Sequence, residues 1–190
     1  MLALPEVEVE RLDAVRGIPV TAVQLCAMRD CGEEFDQPPR SGLFCVTWGA
    51  VLHLRSQLLA ISWSEDSIGD PCRIGLVDPI EFLAIESLVA QDVSALPPWS
   101  RYIGCDLDSY EVLTYQSNYA REPSSTKWHA VPWGLLLHLG PHSLLAAAVD
   151  HENPLGGSLC ADELVLAFSD FAIHRLSDVY EGERGEWSAG

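Results

Sequence analysis

Histidines and cysteines, six of each, are the residues of this chain with the most to offer chemically. His53 and His138 come first, because each closes the same local sequence, Trp-Gly-x-x-Leu-His-Leu, at 48–54 and 133–139. On alternating strands each imidazole points away from its flanking leucines, so the two can converge near a pseudo-axis and bind a metal or act as a base. Duplication alone explains the pair more simply, as one packing problem solved twice with each ring hydrogen-bonded or solvated. Neither copy has the nearby carboxylate and third ligand of a zinc site. His129, His138, His142 and the run Asp150-His151-Glu152 form a second concentration of potential ligands, but Gly140-Pro141 between two of them reads more simply as a hairpin connection.

Cys26 and Cys31 lack both the two-residue spacing and the second pair of a metal knuckle. There is no Gly-x-Ser-x-Gly elbow, no Gly-x-Gly-x-x-Gly and no Gly-Lys-Ser/Thr phosphate loop. These residues therefore assign no catalytic group, no metal and no cofactor.

Charge is the stronger signal. Eleven Lys and Arg stand against 28 Asp and Glu, a net charge of −17, and Lys127 is the sole lysine. Such a field repels nucleic acid and anionic membranes and attracts basic surfaces. Acidic clusters at Glu33, Glu34 and Asp36, at Glu65, Asp66 and Asp70, and at Asp106 and Asp108 each read as a solvated surface when taken singly. Together they form the expected partner-binding surface, with Phe35 and Trp99 as exposed aromatic anchors. The function this implies is a non-enzymatic acidic binding protein that neutralises or sequesters a basic protein, in the manner of an immunity protein, antitoxin or inhibitor. The alternative is a metal- or small-ligand-dependent enzyme or sensor with its site between two halves near His53 and His138. A third reading is an assembly subunit.

No apolar run approaches the ~18 residues of a membrane span. The N-terminus lacks the basic region of a secretory signal, and the six cysteines are scattered among apolar neighbours, as reduced thiols are. A cytoplasmic location is expected, without nucleic acid or membrane as partner.

The elements that must position these residues repeat. Val46, Trp48, Gly49, Leu52, His53 and Leu54 align with Val131, Trp133, Gly134, Leu137, His138 and Leu139 at an offset of 133 − 48 = 85, and one inserted residue in the second turn aligns Leu58-Leu59-Ala60 with Leu144-Leu145-Ala146. Residues 1–15 fit an edge strand or a short helix equally. Residues 17–28 alternate as a strand, and 43–54 with 58–63 form a hairpin. Asp78, Pro79 and Glu81 start a helix whose face, Ile80, Leu83, Ala84 and Leu88, runs to about Val93. Leu96-Pro97-Pro98-Trp99 stops it and is the candidate boundary between the halves. Strands at 102–107 and 110–116, a hairpin over 128–149 and a helix over 162–179 complete the second half.

The expected fold is α+β and internally duplicated. Two strand-hairpin-helix units of about 85 residues, 1–96 and 99–180, form one pseudo-twofold body of antiparallel sheet with packed helices, followed by a mobile acidic tail, 181–190.

Overall fold

Short β-rich runs separated by turns build most of this molecule. The computed structural model describes residues 6–29, 42–55, 57–64, 73–117, 129–149 and 164–187. Among these residues ten strands and three α-helices follow in order: α1 (Glu6–Ala14), β1 (Ala22–Met28), β2 (Leu43–Val46), β3 (Gly49–Leu54), β4 (Gln57–Ser64), β5 (Arg73–Val77), α2 (Pro79–Leu83), β6 (Leu88–Asp92), β7 (Leu107–Ser117), β8 (His129–Leu139), β9 (His142–Ala148), β10 (Leu164–Ala167) and α3 (Asp170–Trp187). A 3-10 turn, Trp99–Tyr102, joins β6 to β7.

The strands form two antiparallel five-stranded sheets, ordered β5-β4-β3-β1-β6 and β2-β10-β9-β8-β7. Alternate residues of each sheet meet in one shared core. Val23, Leu25, Leu52, Leu54 and Ile61 come from the first sheet, and Val46, Leu135, Leu137, Leu144 and Leu166 from the second. The opposite faces carry smaller cores. Phe82 of α2 covers Cys26, Val51, Ala60 and Leu88, while Ala172 and Leu176 of α3 cover Trp133, Leu145, Ala147 and Val165. Strands sheathed on both faces read as unbroken apolar runs, as all four buried residues of β10 do.

Corresponding strands pair in corresponding register. In the first sheet His53 lies opposite Ala22 and Leu58, and Gly49 opposite Cys26 and Ser62. In the second, His138 lies opposite Ser109 and Ser143, and Gly134 opposite Leu113 and Ala147. Both hairpins close across two residues, with Leu54 opposite Gln57 and Leu139 opposite His142, so the 85-residue offset holds through the turn with no inserted residue. Both turns need a left-handed first residue. Gly140 takes φ 56 freely, whereas Arg55 holds φ 55 against its own Cβ. Arg55→Gly is therefore expected to stabilise the fold by about 0.5–1 kcal/mol in urea unfolding.

Several expected elements differ. The run 43–54 is two strands in different sheets, because the chain bends at Thr47-Trp48: Ser62 Oγ donates to Trp48 C=O (2.7 Å) and Trp63 Nε1 donates to Thr47 C=O (3.0 Å). Asp78 does cap α2, its Oδ1 accepting from the N–H groups of Ile80 (2.9 Å) and Glu81 (3.1 Å). The helix nevertheless ends at Leu83, since Leu88 pairs with Met28 as the start of β6. A local helical face lost to ladder bonds made with a distant strand. Likewise 164–167 is a strand, and the last helix begins only at Asp170 and continues through Trp187, into the stretch expected to be a tail. Residues 6–14 are helical; Leu12 and Val15 enter the shared core, and the Glu8 carboxylate accepts the Leu76 N–H (3.1 Å) on the edge of β5.

Candidate functional site

The acidic residues expected to bind a partner divide by position. Asp106 and Asp108 are exposed at the start of β7, where Pro19 bridges to Asp106 and the Gly17 N–H donates to Leu107 C=O (2.8 Å). This seam brings Asp13 of α1 beside them. Arg16 stands 3.8 Å from the Asp13 carboxylate and donates from Nε to Asp108 C=O (3.3 Å), and Tyr110 donates its hydroxyl to Asp13 (3.2 Å). Burial, and then that bond to an anion, push the Tyr110 phenol above its usual range. Three carboxylates against one guanidinium leave the seam negative and open to water. Glu33, Glu34, Phe35, Asp36, Glu65, Asp66 and Asp70 lie outside the described residues.

Trp99 is not an exposed anchor: it is 1% exposed. Its ring packs edge-on against Phe168 (4.7 Å) and Phe44 (6.1 Å), and the adjoining Tyr102 donates its hydroxyl to Ser143 C=O (2.9 Å). The Pro-Pro sequence before it does mark where the chain leaves the first sheet for the second, but that crossing is packed into the core.

The two histidines hold equivalent places and do not converge. His53 shares a face with Val51 and Cys26, and its Nε2 meets Gln24 Oε1 at 2.9 Å. His138 shares a face with Leu136 and Leu145, and its Nε2 meets Glu111 Oε1 at 3.1 Å. The shared core lies between them. Each contact is a diagonal cross-strand pair, from strands whose partners also correspond. Gln24 and Glu111 escaped notice in the sequence because they lie at an offset of 111 − 24 = 87 rather than 85.

Ser143 Oγ stands 3.3 Å from His138 Nδ1, so Ser143, His138 and Glu111 form the order of nucleophile, base and carboxylate found in hydrolases. Ser143 and His138 sit opposite one another in the β8–β9 ladder, and the Ser143 C=O accepts from the Tyr102 hydroxyl (2.9 Å), which ties this serine into the fold. With 32% of the His138 side chain and 61% of the Glu111 side chain exposed, the pair also contributes little to stability.

Burial pushes the Cys26 thiol up to about 11, which suppresses the thiolate that nucleophilic or metal chemistry needs. Cys105 is half-buried, its Sγ donating to Arg101 C=O (3.3 Å). Among the described residues no three His, Cys, Asp or Glu side chains gather as a metal site, and no helix is long and apolar enough to cross a membrane. Comparison of the chain with protein-family models, with curated proteins and with solved structures found no match.

Proposed function

We propose that this chain is a non-enzymatic acidic binding protein that neutralises or sequesters a basic protein partner, as immunity proteins, antitoxins and inhibitors do. The observation that carries the reading is its charge of −17, with a single lysine in 190 residues. A field of that sign speeds encounter with a basic surface and disfavours nucleic acid and anionic lipid. Exposed Asp106 and Asp108, beside Asp13, offer such a surface a cluster of carboxylates that Arg16 neutralises only in part. The cytoplasm, with its reduced thiols, is the proposed location.

We further infer that the molecule arose by duplication of a four-stranded unit followed by a helix. The order β5-β4-β3-β1 in one sheet and β10-β9-β8-β7 in the other supports this, as do the matching registers. In that reading β6 is a later addition, β2 is the counterpart of the start of β8 carried into the other sheet, and the repeated Trp-Gly and Leu-His-Leu are inherited packing, not paired ligands.

Affinity capture from the native cell, with mass spectrometry and a salt series, tests the function. Captured partners are expected to be basic, and their dissociation constants to rise at least about tenfold between 0.1 and 1 M salt, where the screening length falls from ~10 to ~3 Å. Binding indifferent to salt, or a neutral partner, would remove the proposal.

A further inference from the structure

Four strands end the two sheets, and two of them are met along part of their edge by other segments. Glu8 takes the Leu76 N–H at the edge of β5, and residues 17–20 hydrogen-bond along the start of β7. β6 differs: after Leu88 its residues Val89, Ala90, Gln91 and Asp92 are all exposed.

The hydrogen-bond parity of β6 follows from its two flanks. Val93 N–H donates to Val23 C=O (3.0 Å), and Arg29 N–H donates to Ser87 C=O (2.9 Å). Between these flanks Leu25 with Gln91 and Ala27 with Val89 are the ladder-bonded pairs, so Leu88, Ala90 and Asp92 turn their main-chain groups outward. Leu88 N–H accordingly donates to Ile85 C=O (3.0 Å) instead of to β1. The N–H and C=O of Ala90 and Asp92 are then presented as a strand edge. Leu88–Asp92 contains no lysine, proline or bulge, the usual protections of such an edge.

We propose that β6 is a docking edge that accepts an extended segment of a basic partner as an added antiparallel strand, the side chains of that segment alternating basic and apolar. This rests on the basic-partner reading and says where on the molecule the partner is held. Main-chain bonds to Ala90 and Asp92 supply affinity, and the two faces supply selection. On one face Asp92 lies opposite Gln24, with Glu86 just before the strand, which favours lysine or arginine. Arg29, whose guanidinium donates to Glu86 C=O (3.3 Å), is the one cation at this edge among the described residues. On the other face Val89, 38% exposed and opposite Ala27 of the shared core, offers an apolar contact. A second copy of this chain is the rival occupant, and the −17 carried by each copy opposes it.

Two capped peptides test this, one alternating lysine and valine and one alternating glutamate and valine, with Ala90→Pro as the variant. Proline at position 90 removes an outward N–H that the fold does not use, so thermal unfolding is expected to stay near that of the unaltered chain. The lysine peptide should bind, protect the Ala90 and Asp92 amides from hydrogen exchange, and bind Ala90→Pro at least tenfold more weakly; the glutamate peptide should not bind. If the variant fails to fold, the exchange pattern of the unaltered chain decides. Equal binding to Ala90→Pro, or protection elsewhere only, overturns the docking edge while leaving the basic-partner reading intact. Equal binding of both peptides overturns its charge selectivity. A dimer that Ala90→Pro splits hands the edge to a second copy and overturns the proposal. Salt-insensitive capture from the cell would count against the broader reading independently of all these results.

Discussion

Trp99→Ala is expected to cost the fold about 3–5 kcal/mol, the range for removing a fully buried aromatic side chain. The indole is among the largest side chains held below 2% exposure, and it lies where three segments distant in sequence meet. Phe44 belongs to the short strand that the first half lends to the second sheet, and Phe168 sits at the junction of β10 and α3. Tyr102, one turn on, is bolted to β9 through Ser143 C=O, and Arg101 donates to both the Tyr102 hydroxyl and the Phe168 main chain. Emptying this site removes the contacts that tie the inter-sheet crossing to both sheets, with no flexible neighbour to collapse into the void. Total stabilities of domains lie near 5–15 kcal/mol, so urea unfolding should register the loss as a large fall in midpoint. Trp99→Phe, which keeps most of the ring, should retain most of that stability. An exposed anchor would behave in the opposite way: its removal would move stability by less than ~0.5 kcal/mol and fall on partner binding alone.

The misplacement of Trp99 illustrates which parts of this fold are legible in one sequence. The α+β character, the two hairpins and the Asp78 cap depend on residues within a few positions of each other, and turn chemistry with alternation reports them directly. Where a choice depends on distant partners, the local pattern misleads. Ile80, Leu83, Ala84 and Leu88 fit one helical face, yet Leu88 is drawn into β6 by Met28, sixty residues away in sequence. Leu164–Ala167 fits either a buried helix or a strand covered on both sides, because an unbroken apolar run has no period to read. Pro97-Pro98 beside Trp99, read as the boundary between two halves, lies where the chain changes sheet, and its local sequence does not show that the crossing is filled with aromatic rings. The candidate binding surface was legible as charge, since carboxylates stay exposed by default. The bare edge of β6 was not, because an outward N–H is a property of strand order.

The repeated Trp-Gly shows the same division at a single residue, and substitution should separate its two copies. At Gly49 an added Cβ would stand 2.5 Å from Ile61 C=O and 2.9 Å from the Phe82 ring. The first of these is main chain in the paired strand β4 and cannot yield without breaking the ladder. Gly49→Ala is therefore expected to lose about 2–3 kcal/mol, as overpacking of a close-packed core does. At Gly134 the nearest atoms are the Leu145 and Leu113 methyl groups at 3.1 and 3.4 Å, ends of flexible side chains that can shift by a few tenths of an ångström. There the ~0.5–1 kcal/mol gained by removing glycine's backbone freedom offsets the crowding, and Gly134→Ala should stay within about 1 kcal/mol of the unaltered protein. Chemical denaturation of the two variants side by side measures the difference. Equal losses would mean that the two glycines answer one packing requirement; the expected inequality means that they answer different ones.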